Sequence, residues 1–327
     1  MHGPLHYRHT EHDKIRALRN NQWHFDKRMS LSRRARSELE WWVDNVTTAK
    51  NVMTRDAPMH TLTTDASNNG WGAVYGNQST GGLWSSHEKS HHVNYLELLA
   101  VYLGLKAFCS SHCDMHISLR IDNTTAVAII NHMGTSHSEQ LNALNDEIWE
   151  WCIARNLWIS AGHIAGKCNV EADQASRQNQ IATEWMLQKT LLLHALGELQ
   201  FTPEIDLFAS RINCQFPQYV SYRPDPGAVA IDAFSIPWTE LKFYAFPPFS
   251  VIPSLLKKIQ EDKAEGICVL PNWSTQPWFP KAMQMATKSP VKLKACKTLL
   301  SLPNQPEQTH PLHRKLDLLV CLLSAKR

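Results

Sequence analysis

The chain has 327 residues, of which 43% are hydrophobic and 19% are charged, and this balance excludes an intrinsically disordered protein. At about 150 residues per domain, the length predicts two domains. No apolar run approaches the roughly 18 residues that a membrane span needs, and the polar N-terminus lacks the apolar centre of a signal peptide. The eight scattered cysteines are typical of reduced thiols, so we predict an intracellular protein of the cytoplasm or nucleus, with no membrane partner.

The net charge of +3 is distributed unevenly along the chain. Residues 1–59 carry 11 Lys and Arg against 7 Asp and Glu, and residues 181–327 carry 16 against 12. Residues 60–180 are acidic, with 6 Lys and Arg against 11 Asp and Glu. An acidic segment binds nucleic acid when its carboxylates hold metal ions, and basic flanks can then supply phosphate contacts.

Residues 1–58 predict a polar, basic and helical connecting segment. Ser30 or Ser32 is a candidate N-cap for its helix. The paired Trp41-Trp42 is expected to pack against a neighbouring domain, with stacking on nucleic acid as the alternative. The apolar residues of this segment recur at helical spacing. They are Leu31, Ala35, Leu39, Trp42, Val43 and Val46.

Residues 59–190 predict an α/β domain with a mixed five-stranded sheet and flanking helices. Strand patterns cover residues 60–65, 70–76, 82–87, 116–121 and 157–163, the third of them after the turn signal Gly81-Gly82. Helical patterns cover residues 94–110, 124–131, 138–155 and 169–190.

Residues 200–287 predict a second, smaller, Rossmann-like α/β module, because short strand candidates flank a helix at residues 250–263. Residues 288–327 are rich in Lys, Pro and polar side chains. They predict a linker that ends in a short helix at residues 311–324.

Four acids occupy ends of strands and starts of helices in the first domain. Asp65 ends the first strand, Glu97 lies in the first turns of a helix, and Asp122 follows the fourth strand. Asp173 lies near the start of the last helix, after Asn169 as a candidate cap. Converging carboxylates repel one another unless cations neutralise them, and oxygen ligands favour Mg²⁺ or Mn²⁺. Two such ions activate a water and stabilise a leaving oxygen, so the pattern indicates phosphodiester hydrolysis.

The segments that contain these acids resemble the four motifs of ribonuclease H. They read TTDASNNGWGAVY, NYLELLAV, RIDNTTAV and GHIAGKCNVEADQASR, in that order, over residues 60–180. The resemblance implies that Asp65 bridges two metal ions, that Glu97 and Asp122 complete one site, and that Asp173 completes the other. It also implies endonucleolytic hydrolysis of the RNA strand of RNA–DNA hybrids.

The same resemblance implies roles for three further residues. His163 matches the mobile-loop histidine that assists proton transfer or product release. Asn94 matches a residue that contacts the hybrid in its minor groove, although it is equally a candidate N-cap, and Asn169 is a second candidate for substrate binding.

The chain departs from cellular ribonucleases H at residues 133–137, where a short turn stands in place of a basic helix and loop. This departure resembles ribonuclease H domains of retroelements, which rely on an attached polymerase, so we expect weak activity from this chain alone. The flanking segments resemble polyproteins of DIRS-type retrotransposons. That resemblance implies an upstream reverse transcriptase polymerase and a downstream tyrosine recombinase as partners, beside the RNA–DNA hybrid.

The second module also resembles phage-type DNA adenine methyltransferases. The resemblance implies a cofactor site at Asp206 and at Pro247, Pro248 and Phe249. Phe246 stands where that family has a polar residue, and a phenyl ring cannot accept the hydrogen bonds of an adenine amino group with comparable strength. We therefore expect a degenerate module and disfavour S-adenosylmethionine as a cofactor.

The sequence thus predicts a ribonuclease H of a retroelement reverse transcriptase that uses two metal ions. Two alternatives stay open. One is a non-catalytic fragment that binds nucleic acid, and the other is an activity like that of a DNA adenine methyltransferase.

Overall fold

The computed structural model describes residues 2–50, 55–177 and 185–326. The chain divides into two compact units. Unit 1 comprises Met1–Ser79 and His91–Arg177, and unit 2 comprises Thr80–Ser90 and Gln178–Arg327. Within the described ranges, we find no helix that is both long and apolar enough to cross a bilayer.

Unit 1 begins with two helices, α1 (Arg8–Asn20) and α2 (Arg33–Asn45). Ser32 is the N-cap of α2, since its side chain accepts a hydrogen bond from the backbone N–H of Ala35. The buried carboxylate of Glu38 accepts hydrogen bonds from two backbone N–H groups of α1 and ties the helices together.

The predicted helix is present as α2, and its apolar residues differ in burial. Ala35 is buried, but Leu39, Val43 and Val46 are exposed. The packing predicted for Trp41-Trp42 against a neighbouring domain stays a prediction.

The first sheet of the chain has five strands, as predicted, and it is mixed. Four of these strands lie in unit 1, and the division between the units falls within the third. The strands are β1 (His60–Ala66), β2 (Gly70–Tyr75), β3 (Gln78–Leu83), β4 (Met115–Ile121) and β5 (Leu157–His163). Their spatial order is β3-β2-β1-β4-β5. β1 pairs antiparallel with β2 and parallel with β4, which in turn pairs parallel with β5.

The third strand begins four residues earlier than predicted. Gly76 has a φ of +60° and, with Asn77, forms the two-residue loop between β2 and β3. A two-residue hairpin loop needs such positive φ angles, which glycine adopts freely. The Gly81-Gly82 pair therefore lies inside β3 rather than in the turn before it.

Four helices accompany this sheet. They are α3 (Val93–Phe108), α4 (Thr124–Asn131), α5 (Glu139–Ile153) and α6 (Val170–Arg177). The helix predicted at residues 169–190 is not continuous. Residues 178–184 of that prediction lie outside the described residues, and Met186–Leu187 form a short strand, β6.

Unit 2 contains a seven-stranded mixed sheet in the order β12-β14-β11-β10-β7-β8-β9, so its sheet is not the smaller of the two. Its strands are β7 (Ile205–Asp206), β8 (Gln218–Ser221), β9 (Ala230–Ile231), β10 (Lys242–Ala245), β11 (Glu265–Pro271), β12 (Val291–Leu293) and β14 (Leu318–Ser324). The pairings from β9 through β11 are parallel, whereas β14 pairs antiparallel with both β11 and β12.

The remaining elements of unit 2 pack on both faces of this sheet or pair beside it. They are α7 (Lys189–Leu199), α8 (Ile252–Glu261), α9 (Phe279–Met285) and the strand β13 (Leu300–Ser301), which pairs with β6. Phe243 and Ala245 of β10 belong to one buried apolar cluster, and Tyr244 between them belongs to the other. This alternation buries both faces of the sheet.

The predicted C-terminal linker and helix are wrong. Residues 318–324 form β14, which lies between β11 and β12 and is buried from Leu318 to Leu323. The sequence Leu-Leu-Val-Cys-Leu-Leu is apolar throughout, and such a run does not distinguish a buried strand from a buried helix by its periodicity.

Candidate active site

Three carboxylates meet at one edge of the sheet of unit 1. β1 and β4 are parallel neighbours, with Thr64 beside Ile121, so Asp65 and Asp122 follow at adjacent positions. Glu97 extends from α3 into the same place. One carboxylate oxygen from each of the three residues lies within 4.8 Å of the others.

The surroundings of this cluster make it unfavourable for all three carboxyl groups to be ionised at once. Burial, followed by the charges of Asp122 and Asp65, raises the pKa of Glu97 to about 9. Burial also raises the pKa of Asp65, to which the charges of Asp122 and Asp173 contribute. Oε2 of Glu97 is buried and has no hydrogen-bond donor among the described residues. The cluster therefore has the composition and the unmet acceptor of a divalent-cation site.

Asp65 is held from behind by two buried side chains of unit 1. The hydroxyl of Ser176 lies 2.7 Å from Oδ2 of Asp65 and 2.8 Å from the carbonyl oxygen of Asp173. Asn169 donates from Nδ2 to the carbonyl oxygen of Thr64 and, at 3.4 Å, to Oδ1 of Asp65. These contacts fix the orientation of the Asp65 carboxylate.

Asp173 is not a member of the three-carboxylate cluster. Its side chain is partly exposed on α6 and pairs with Arg177, at 2.7 Å. Its charge nevertheless raises the pKa of Asp65, so its carboxylate is within electrostatic reach of the cluster. The structure thus brings three of the four predicted acids together, and the four-membered set remains a prediction.

The close approach of α6 to β2 depends on Gly72. A Cβ atom at this position would lie 2.2 Å from the carbonyl oxygen of Ala172 and 2.5 Å from the backbone nitrogen of Ser176. Gly72 is also the cross-strand partner of Asp65. The absence of a side chain here lets α6 carry Ser176 to Asp65.

His163 is the last residue of β5, and its side chain is exposed. Its partner on β4 is Ile121, which directly precedes Asp122. The structure therefore places His163 beside the acidic edge, although its predicted role remains a prediction.

Asn94 is the second residue of α3, and the alternative prediction that it caps this helix is wrong. The N-cap is His92, whose Nδ1 accepts a hydrogen bond from the backbone N–H of Asn94. The Asn94 side chain instead accepts a hydrogen bond, at 2.9 Å, from Asn123, the N-cap of α4. Two amide side chains therefore lie together at the starts of two helices.

Asn169 does not act as a side-chain cap either. Its Nδ2 is turned toward β1, and its Oδ1 is buried without a hydrogen-bond partner among the described residues. Its predicted role in binding substrate is not tested by this placement.

The sequence analysis missed Ser176, Gly72 and Asn123. Ser176 could have been predicted from the sequence, because a serine three residues after Asp173 lies on the same face of a helix. Asn123 could have been predicted as well, since an asparagine directly before a helix is a strong N-cap candidate. Gly72 could not, because only the packed structure shows what a side chain would meet there.

In unit 2, Asp206 ends β7 and is only 2% exposed. Its two carboxylate oxygens accept hydrogen bonds from the backbone N–H groups of Phe208 and Gln215, at 3.2 and 3.1 Å. Burial raises the pKa of Asp206 to about 7. Both oxygens are thus engaged by the loop that follows the strand.

The other residues predicted to bind a cofactor follow β10. Pro247 is buried and Pro248 exposed. Phe249 stacks edge-on against Trp273, with ring centroids 5.0 Å apart, and lies near Phe246, at 6.4 Å. An aromatic cluster therefore occupies this end of the strand.

The chain is similar to three solved structures over part of its length. RNase H1 from the halophilic archaeon Halobacterium salinarum NRC-1 is 20% identical, with 36% of this chain and 96% of that chain covered and a TM-score of 0.30. LC11-RNase H1 in complex with RNA/DNA hybrid is 19% identical, with 37% and 95% covered and a TM-score of 0.32. The foamy viral protease-reverse transcriptase in complex with RNA/DNA hybrid is 12% identical, with 45% and 27% covered and a TM-score of 0.28. No family model and no curated protein matches this chain.

Proposed function

We propose that unit 1 is a metal-dependent endonuclease that hydrolyses the RNA strand of RNA–DNA hybrids. One observation carries the proposal: the buried Glu97 carboxylate faces Asp65 and Asp122, and its Oε2 has no donor among the described residues. Such an arrangement is unfavourable unless a cation or a proton occupies it. The substrate class comes from the resemblance of the four sequence motifs to ribonuclease H.

The donors fit Mg²⁺ or Mn²⁺, because all three are carboxylates and hard divalent cations prefer oxygen ligands. Asp65, Glu97 and Asp122 would hold such ions, and the resemblance adds Asp173. When bound, two such ions supply an activated water and stabilise the charge on the leaving oxygen, which yields a 3′-hydroxyl and a 5′-phosphate.

The residues around the cluster orient and support it. Ser176 and Asn169 are positioning residues that fix the Asp65 carboxylate from inside the fold. The Asn94–Asn123 amide pair lies at the starts of α3 and α4, where it can hydrogen-bond to a nucleic acid strand. The exposed ring of His163 can donate or accept a proton beside the cluster. Contacts to the 2′-hydroxyl would distinguish RNA from DNA.

Unit 2 fits a doubly wound sheet but not a working methyltransferase. The order β9-β8-β7-β10-β11 reverses between β7 and β10, where such sheets bind ligands. Both oxygens of Asp206 accept hydrogen bonds from backbone N–H groups of the following loop, and Phe246 stands where a methyltransferase has a polar residue. We infer a degenerate methyltransferase-like module that transfers no methyl group.

The proposal also covers the context of the chain. A reverse transcriptase polymerase upstream and a recombinase downstream are the partners that the resemblance to DIRS-type elements implies. An attached polymerase would compensate for the acidic composition of residues 60–180, which weakens contact with phosphates.

Cleavage of a labelled RNA–DNA hybrid in Mg²⁺ and in Mn²⁺ tests the proposal. Asp122→Asn should abolish cleavage, because it removes a charged ligand and keeps the shape of the side chain. Asp114→Asn is the matched control, since Asp114 directly precedes β4 where Asp122 directly follows it, and Asp114 is exposed.

Cleavage that survives in Asp122→Asn would refute the two-metal assignment. No cleavage by the unaltered chain in either metal would favour the alternative function, a non-catalytic fragment that binds nucleic acid.

A further inference from the structure

The segment between α1 and α2, residues 21–32, is called here the hairpin tip. From residue 14 to residue 36 the chain carries eight Lys and Arg and a single acid, Asp26. All eight basic side chains are exposed: Lys14, Arg16, Arg19, Lys27, Arg28, Arg33, Arg34 and Arg36. Among the residues that the structure describes, only Arg16 of these eight has a carboxylate within ion-pair distance, that of Asp13. Residues 14–36 therefore present a positive surface on which, among the described residues, Arg16 alone of the eight forms an ion pair.

The hairpin tip also exposes large apolar side chains. Trp23 is 59% and Phe25 is 77% exposed, and Met29 is exposed as well. Lys27 and Arg28 lie between Phe25 and Met29 in the sequence. Exposed rings followed closely by cations are a combination that binds single strands, because bases stack on the rings while the cations contact the phosphates.

The hairpin tip is anchored at both ends, so these side chains are presented by an ordered backbone. The backbone N–H of Trp23 donates to the carbonyl oxygen of the buried residue Leu18, at 2.7 Å. At the other end, the backbone N–H of Ser32 donates to the buried carboxylate of Asp13, at 2.6 Å. An anchored loop loses less conformational freedom when it binds a ligand than a free one does.

We propose that the hairpin tip binds nucleic acid, with Lys27 and Arg28 on the phosphates and Trp23 and Phe25 stacked on unpaired bases. The inference rests on the proposed function in one respect, namely that the strand held here belongs to the substrate of the acidic site. Residues 60–177 carry 6 Lys and Arg against 11 Asp and Glu. Phosphate affinity depends on Lys and Arg, so the positive hairpin supplies what that part of the chain lacks.

Binding of the full chain to a short RNA–DNA hybrid and to single-stranded DNA, followed by fluorescence anisotropy with EDTA present to prevent cleavage, tests this inference. Lys27→Glu/Arg28→Glu should lower affinity about tenfold at low salt and reduce the salt slope by about two, since each phosphate contact contributes about 0.9 to that slope. The matched control is Arg314→Glu/Lys315→Glu, which makes the same change of charge on an exposed turn of unit 2 and should change affinity less than about twofold.

A second pair of variants isolates stacking. Trp23→Ala/Phe25→Ala should weaken binding to single-stranded DNA about tenfold, within the range measured for loss of stacked aromatic side chains. Tyr222→Ala removes a ring that is equally exposed, in unit 2, and should leave binding unchanged. All of the altered side chains are exposed, and circular dichroism verifies that each variant is folded.

Unchanged affinity in Lys27→Glu/Arg28→Glu would refute the inference, as would equal losses in both charge-reversal variants. Binding to vesicles that contain anionic lipid provides a further outcome. If Lys27→Glu/Arg28→Glu loses binding to these vesicles but not to nucleic acid, the hairpin tip binds a membrane surface and the inference is refuted as well. Cleavage of the hybrid tests the proposed function independently of these binding measurements. A chain that never cuts but loses binding in Lys27→Glu/Arg28→Glu refutes only the proposed function. A chain that cuts, and binds normally in that variant, refutes only this inference.

Discussion

Each unit holds a buried aspartate near the carboxyl end of a parallel strand, Asp65 in β1 and Asp206 in β7. Burial raises the pKa of both. The two differ in what surrounds the carboxylate. Asp206 accepts hydrogen bonds from two backbone N–H groups. Asp65 instead faces Asp122 and Glu97 and accepts its hydrogen bonds from two side chains, Ser176 and Asn169.

This difference separates an aspartate that organises a loop from one that is available to a ligand. Both oxygens of Asp206 accept hydrogen bonds from the chain itself, so this carboxyl group serves the fold of unit 2. Around Asp65 the negative charge of three carboxylates is concentrated, and Oε2 of Glu97 has no donor among the described residues. A raised pKa alone therefore does not identify an active site. The groups around the carboxylate determine whether it can bind a ligand.

The largest difference between the two aspartates should appear in the cleavage rate, when each is replaced by asparagine. Asp65→Asn should lower the rate of hybrid cleavage on the order of 10³-fold, because loss of a metal ligand costs several kcal/mol and each 1.36 kcal/mol is a factor of ten. Asp206→Asn should leave the rate within about threefold, since Asp206 is not one of the three clustered carboxylates and its replacement changes stability alone. Initial rates with a labelled hybrid in saturating Mg²⁺ measure both.

The control for this prediction is the folded state of each variant, monitored by far-ultraviolet circular dichroism. Equal loss of cleavage in two folded variants would show that the comparison between the units is wrong, and that Asp206 also takes part in the reaction.

A second test compares a glycine in each unit. Gly72→Ala should destabilise unit 1 by about 3 kcal/mol, because the added methyl group would overlap backbone atoms of α6 and push Ser176 away from Asp65. Gly197→Ala in α7 meets nothing within 4 Å and should stabilise unit 2 by about 0.5 to 1 kcal/mol, through helix propensity.

Hydrogen exchange measured by mass spectrometry resolves the two units in one experiment. Peptides from β1 and β2 should exchange faster in Gly72→Ala, and peptides from α7 should exchange more slowly in Gly197→Ala. Unchanged protection of β1 and β2 would show that α6 yields without cost and that the packing against Gly72 does not position Ser176.

Much of unit 1 could be predicted from the sequence because its signals are local. Alternating strands, helical periodicity and acids at the ends of elements place Asp65, Glu97 and Asp122 at one edge, and the structure brings these three together. The sequence could not show that Asp173 pairs with Arg177 or that Asn169 turns inward, because those outcomes depend on tertiary packing.

Unit 2 was harder to predict because its central strands are buried on both faces. Leu318–Ser324 lacks the alternation that identifies a strand with one solvated face, and the pairing of β14 with β11 joins segments far apart in sequence. Asp206 illustrates the same limit for the site. The resemblance to DNA adenine methyltransferases implied a cofactor contact at Asp206, whereas its hydrogen bonds from the backbone N–H groups of Phe208 and Gln215 are visible only in the folded loop.

A third test is a pH dependence of stability that belongs to Asp206. Its folded pKa of about 7 lies above its ordinary value of 3.8, so the folded state binds a proton that the unfolded state has released. Stability is therefore lost as the pH rises, by roughly 2 kcal/mol from about pH 5 to about pH 7.

Asp206→Asn cannot titrate, so its stability relative to the unaltered chain should improve by that amount over the same range. Protection of β7 and β10 against hydrogen exchange measures this difference, in which the contribution of Glu97 cancels because both proteins contain it. A difference that does not change with pH would mean that Asp206 stays ionised in the folded protein, held by its two backbone N–H groups.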